Sequence, residues 1–210
     1  RIFLLATAPS SYPDIFKELG EGGLTHCCQI EKIRLMIEKP FGHDADSAEA
    51  LNELLLKYFT EDQIYRVDHY LGKEPVQNIL AVRFANAIFA DLWNNRHIDN
   101  VQIVAAEQIG IEGRGAYYEE AGVLLDIVQN HILQLIALIA MEDPESMQAE
   151  EIRDKKYEIL KKLSFSIQSD EIVRGQYRGY TDEKNVKADS QTETFIALKG
   201  SINDPLWQGV

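Results

Sequence analysis

The run Ile33-Arg34-Leu35-Met36-Ile37-Glu38-Lys39-Pro40-Phe41-Gly42 is apolar and extended, then stops abruptly at a lysine and a proline. Long apolar residues alternate from Ile33 to Ile37, the pattern of a β-strand. Pro40 keeps the backbone of Lys39 extended, so the strand runs straight into a loop. Both isomers of the Lys39–Pro40 bond are compatible with the sequence. Upstream, Ile2 to Ala6 reads as another strand, followed by a Pro-Ser-Ser loop and a helix from Ser11 to Leu19 that Gly20 ends. Downstream, Asp44 to Tyr58 reads as a helix: acids come early, Leu51, Leu54 and Leu55 share a face, and Lys57 comes late. Residues 1–66 therefore give strand, helix, strand, helix, the tail of a doubly wound α/β domain. Ligands of such domains bind beyond the carboxyl ends of the strands, which points to Ala6–Tyr12 and Lys39–Phe41.

From residue 67 onward the pattern changes. A helix is expected after Lys73, with Pro75 in its first turn, running to Phe84. Val101, Ile103 and Ala105 alternate as a strand leading to Glu107. Ala121 to Met141 reads as one long helix, stopped before Pro144. Glu150 to Leu163 is a charged amphipathic helix, and 191–202 contains a strand. Mixed in this way, without strict βαβ alternation, these elements predict an α+β domain over 67–210.

The chain has 210 residues, 45% hydrophobic and 26% charged, an ordinary globular composition. Its net charge of −13 argues against a general nucleic-acid or anionic-membrane binder, so any anionic ligand needs a local positive site. The apolar stretch 121–141 is interrupted by Asp126, Gln129, Asn130, His131 and Gln134, and is read as a core helix, not a membrane span. The adjacent Cys27 and Cys28 are poorly placed to staple a fold and read as reduced thiols of a cytosolic protein. No G-x-G-x-x-G occurs; Gly20, Gly22 and Gly23 lie after a helix, not between a strand and a helix.

Two stretches carry the chemistry. Arg66-Val67-Asp68-His69-Tyr70-Leu71-Gly72-Lys73-Glu74 concentrates cations, a carboxylate, an imidazole and a phenol, a set suited to a bound phosphate. Gly72 lets the backbone come close. Arg66 reads as a structural ion-pair partner. In the long helix, Asp126, Asn130 and Gln134 recur at i, i+4 and i+8 as one polar stripe, with His131 about 100° from Asn130. Alone, the stripe reads as the solvated face. Its amide-rich character argues otherwise, since a solvated face here should carry Lys and Glu, and buried polar groups need partners or ligands.

Three segments, in this order, resemble the signatures of glucose-6-phosphate dehydrogenases. They are Glu38-Lys39-Pro40-Phe41-Gly42, the run Arg66-Val67-Asp68-His69-Tyr70-Leu71-Gly72-Lys73-Glu74, and Gly113-Arg114-Gly115 followed by Asp126-Ile127-Val128-Gln129-Asn130-His131. The resemblance implies oxidation of glucose 6-phosphate at C1 to 6-phosphogluconolactone, with NADP as coenzyme and NAD not excluded. It implies His131 as the base, suited by a pKa near the working pH, and Asp68 as its partner. By matching position, His69, Tyr70 and Lys73 bind the phosphate, and Glu107 and Asp126 the sugar hydroxyls. Lys39 would lie between sugar and nicotinamide, serving substrate and cofactor, and Tyr12 would contact the coenzyme. The resemblance further implies that the second domain has a mostly antiparallel sheet, and that the protein is a cytoplasmic homodimer or homotetramer without nucleic-acid or membrane partners. Family members are longer, with the glycine-rich loop before the point matching Arg1. The chain is thus read as an internal piece, with a catalytically incomplete sugar-phosphate-binding or oligomerising fragment as the alternative to a working enzyme.

Overall fold

The computed structural model describes residues 1–23, 33–166, 168 and 171–210; Cys27 and Cys28 lie outside them. The chain divides into two compact units, Arg1–His69 and Tyr70–Val210.

The first unit is built on β1 (Ile2–Leu5), α1 (Tyr12–Glu21), β2 (Arg34–Glu38), α2 (Ala45–Leu56) and β3 (Ile64–Val67). The strands form a parallel sheet in the order β1-β2-β3. Alternation along β2 works as expected, with Leu35 and Ile37 buried between half-buried neighbours. They meet Leu5, Tyr12, Phe16, Leu55, Phe59 and Ile64 in one core. Burying such side chains contributes about 1.5–3 kcal/mol each. Asp44 caps α2 by accepting from the Ser47 amide while the Ser47 hydroxyl takes the Asp44 amide.

Two expectations for this unit are corrected. Gly20 does not end α1, which runs to Glu21 and is closed by Gly22. A Cβ at Gly20 would stand 2.1 Å from the Tyr58 ring, so the glycine serves close packing. The third strand, β3, did not stand out in the sequence because it is short and mostly exposed, with only Ile64 buried. Arg66 pairs with Glu61 at 2.7 Å, the structural role expected of it.

The second unit is mixed α+β. Its helices are α3 (Glu74–Phe84), α4 (Ala87–Ala90), α5 (Gly115–Val123), α6 (Leu133–Ala140) and α7 (Ala149–Lys162), with a π-helical segment, Leu124–Ile132, joining α5 to α6. Its strands are β4 (Leu163–Phe165), β5 (Ile172–Gly175), β6 (Phe195–Leu198) and β7 (Gly200–Ile202). They pair antiparallel as β4–β7 and β5–β6, two separate ladders and not a single sheet. Residues 101–107, expected as a strand, have no regular secondary structure and no ladder partner among the described residues. Alternating apolar side chains make a strand only when another edge satisfies the backbone, and Val104 is 84% exposed. The segment lines an apolar cavity of about 640 Å³ with β6, β7 and the π segment.

The long helix also differs from expectation. It starts at Gly115, earlier than Ala121, and breaks at Gly122 (φ 57°, ψ 178°), a conformation essentially reserved for glycine. Its last carbonyls are capped by side chains. Arg83 donates to Leu138 (2.7 Å) and Met141 (2.6 Å), Trp93 to Ile139 (2.7 Å) and Trp207 to Ala140 (2.8 Å). By length and composition the run Gly115–Ala140 could cross a membrane. Here Ala137, Leu138 and Ala140 pack with Val76, Met141, Ile159 and Trp207 in the core of the unit.

Candidate functional site

In the first unit, all three parallel strands point their carboxyl ends to one edge of the sheet. Glu38 is paired with Val67. The next residues, Lys39 and Asp68, therefore leave adjacent strands, at roughly the 4.8 Å spacing of a sheet. Both are half-buried, and His69 beyond them is exposed. The Lys39–Pro40 bond is cis. Tyr12 is fully buried, and its hydroxyl donates to the Glu38 carbonyl at 2.8 Å. Burial first, then the Glu38 charge, raise its phenol above the usual range. Tyr12 thus presents no surface to a ligand and instead braces the strand end that bears Lys39. A dinucleotide fits the carboxyl edge of a parallel sheet, and Lys39 is a cation placed at that edge.

In the second unit, Tyr70, Lys73 and His131 come together. The Tyr70 and His131 rings stack with centroids 4.1 Å apart and planes 11° apart. The Lys73 ammonium stands 3.5 Å from the centroid of the same Tyr70 ring. The one phenol ring is thus in contact with both the ammonium and the imidazole. Tyr70 is half-buried, Lys73 exposed and His131 fully buried. The local chain explains the placement: Tyr70 lies in a 3-10 turn, His69–Gly72, and Lys73 is the N-cap of α3, its amide bonded to the Tyr70 carbonyl. A cation on an aromatic face next to exposed backbone suits an anion arriving from solvent.

Asp126 and His131 both lie in the π segment and both are buried, at 6% and 0% exposure. In an α-helix residues five apart point about 140° away from each other. Hydrogen bonds running i to i+5 widen the turn and bring such residues toward one face. Asp126 accepts from the Tyr117 hydroxyl at 3.1 Å, and Arg114 stands 3.9 Å from its other oxygen. The polar stripe seen in the sequence has divided roles. Asn130 donates to the Leu125 carbonyl, five residues back, and Gln134 accepts from Lys156. Of the three, Asp126 is set among a phenol and a guanidinium, whereas the two amides hold the helix. Glu107 is exposed at the end of the 101–107 run, and among the described residues no hydrogen bond or ion pair joins it to the others. Tyr117, Arg114 and the Gly122 break are the parts that α-helical periodicity missed. The only sequence signal for them was Gly113-Arg114-Gly115.

Comparison with known proteins covers the whole chain. The family model described as the NAD binding domain of glucose-6-phosphate dehydrogenase matches residues 1–78, and the one described as its C-terminal domain matches 80–210. A glucose-6-phosphate 1-dehydrogenase of Bacillus subtilis is 51% identical, over 100% of this chain and 45% of its own length. A cytoplasmic isoform of Arabidopsis thaliana is 47% identical, over 100% of this chain and 41% of its own length. The crystal structure of the Mycobacterium avium enzyme superposes with a TM-score of 0.90 at 44% identity, over 100% of this chain and 44% of that one. A glucose-6-phosphate dehydrogenase in complex with glucose 6-phosphate gives 0.89 at 42%, with the same coverage. The chain spans less than half the length of these relatives.

Proposed function

This chain belongs to the glucose-6-phosphate dehydrogenase family, and on that premise we propose that it carries the sugar-phosphate-binding and proton-accepting part of a cytoplasmic, NADP-dependent glucose-6-phosphate 1-dehydrogenase. The observation that carries the reading is the Lys73–Tyr70–His131 stack, with a buried carboxylate on the helix of the histidine. In this reading Lys73, with His69 and Tyr70, takes the phosphate. Asp126 and Glu107 take sugar hydroxyls. His131 accepts the proton of the C1 hydroxyl while the C1–H bond gives up its hydride, so the C1–O bond becomes the lactone carbonyl. Asp68 stabilises the cation formed on the base. NADP, or NAD in its place, is the hydride acceptor when bound, and Lys39 is the residue that holds it beside the sugar. Tyr12 acts on that contact through the Glu38 carbonyl. The working protein is a homodimer or homotetramer, with its coenzyme domain ending near residue 66 and its substrate domain following from 67, and it has no nucleic-acid or membrane partner.

The narrower reading is a binding piece of that enzyme, catalytically incomplete by itself. It is favoured because no G-x-G-x-x-G occurs in the 210 residues, and a coenzyme pyrophosphate is ordinarily held by such a loop at a helix N-terminus. Calorimetry with glucose 6-phosphate and with glucose tests the shared core. Lys73→Ala should weaken glucose 6-phosphate by about tenfold or more, the scale of a charge-assisted contact, and leave glucose unchanged. Equal effects on the two sugars would remove Lys73 from the phosphate site.

A further inference from the structure

Asp126 is held by a residue that lies on the far side of a helix break. Tyr117 and Asp126 are nine residues apart. On a straight α-helix they would be separated by about 13.5 Å along the axis and would point to opposite faces. Instead the Tyr117 hydroxyl donates to Asp126 Oδ1 at 3.1 Å.

The break at Gly122 makes this contact. Its backbone has φ 57° and ψ 178°, and a Cβ there would stand 2.4 Å from Glu193 Oε1. Glu193 fills the space a side chain would need and caps the new helix start. Its carbonyl accepts from the Val123 amide at 2.9 Å and its carboxylate from the Leu124 amide at 3.3 Å. On the other side of the break, α5 is held by Gly115, where a Cβ would stand 2.2 Å from the Lys184 carbonyl. Two glycines therefore fix the angle at which Tyr117 meets Asp126. Burial first, then the Asp126 charge and hydrogen bond, push the Tyr117 phenol up to about 12. It remains a proton donor throughout the neutral range. Arg114, at 3.9 Å, faces the second oxygen.

We infer that Tyr117 is a positioning residue for sugar recognition: its hydroxyl fixes the rotation of the Asp126 carboxylate and thereby selects the sugar part of a sugar phosphate. The inference rests on the reading of Asp126 as a sugar ligand. A carboxylate free to rotate satisfies sugar hydroxyls less well than one already oriented, because the ordering cost then falls on binding. The phosphate contacts of Lys73 and Tyr70 do not pass through Tyr117.

Calorimetry on the 210-residue chain with glucose 6-phosphate and with inorganic phosphate separates the possibilities. Tyr117→Phe removes one oxygen atom and should weaken glucose 6-phosphate about tenfold while leaving inorganic phosphate within twofold. In an Asp126→Asn background the same change should add little, since the charged acceptor is gone. Unchanged glucose 6-phosphate affinity in Tyr117→Phe overturns the inference, and so does equal weakening of both ligands, which would make the residue merely structural. A wild-type chain that binds neither ligand overturns the functional reading itself, and the inference with it. Ring NMR of the wild-type chain needs no variant. Glucose 6-phosphate should shift the Tyr117 signals and inorganic phosphate should not; identical responses overturn the inference.

Discussion

Arg83 is charged, 7% exposed, and set among aromatic residues. Its guanidinium lies 4.4 Å from the Phe84 ring and 5.5 Å from the Trp93 ring. Burial lowers its pKa to about 10, against the Asp143 charge that raises it, so it stays protonated at neutral pH. Its two short bonds to Leu138 and Met141 satisfy carbonyls that a helix end leaves without partners. Hydrogen bonds to charged groups are worth about 1.5–3 kcal/mol, and burying an acceptor unpaired costs on the same scale. Arg83→Met, which preserves bulk, should therefore lower unfolding free energy by about 2–4 kcal/mol in urea titration. A loss below about 1 kcal/mol would show that water replaces the guanidinium at those carbonyls. Sequence patterning marks Arg83 only as one basic residue in the last turn of α3; its partners lie more than fifty residues away, which no local pattern records.

At the scale of elements, the helical run from Gly115 to Ala140 is organised by its break and its π segment. Its long apolar run identified it as a helix, with a polar stripe at four-residue spacing. Periodicity assumes one twist throughout, and so grouped Asp126 with Asn130 and Gln134 and set His131 apart. The structure instead groups Asp126 and His131 as the buried polar pair of the segment. The helical run is held by tertiary partners at both ends of its later part: Glu193 at the start of the π segment, and Arg83, Trp93 and Trp207 at the carboxyl end of α6. Gly122→Ala adds a methyl where the Glu193 carboxylate sits and asks L-alanine to hold a glycine conformation. Backbone strain of that kind costs of order 1–3 kcal/mol, and displacement of Glu193 adds to it. Expected is a clear fall in melting temperature, and faster amide exchange at Val123 and Leu124, whose amides lose their acceptors. Unchanged exchange at those two amides would mean that the cap survives and that the contact with Gly122 is not tight.

At the scale of the molecule, the first unit brings its strand ends to one edge, and the second gathers a cation, a phenol, an imidazole and a carboxylate around one helix. On the proposed reading the chain carries residues for the sugar phosphate, while a glycine-rich dinucleotide loop is not in the sequence. The 210-residue chain should bind glucose 6-phosphate and yet give no rise in absorbance at 340 nm with NADP. Turnover by a chain of confirmed mass would show that coenzyme is held without such a loop.

By itself, the sequence determined where titratable and polar residues cluster and which runs of the chain carry them. The strand Ile33–Ile37 running into Lys39-Pro40, the cluster from Arg66 to Lys73 and the Asp126–His131 segment were all legible, because residue type and short-range spacing are local properties. Tertiary structure decided what the residues do to one another. It buried Tyr12 against the Glu38 carbonyl and took Asn130 into its own helix. It left 101–107 without a ladder partner among the described residues and broke the helix at Gly122, where Tyr117 on one side reaches Asp126 on the other. Each of these depends on whether a hydrogen-bonding group meets a partner distant in the chain. A backbone or carboxylate oxygen accepts whichever donor the fold brings to it, and the local pattern of side chains does not say which one that is.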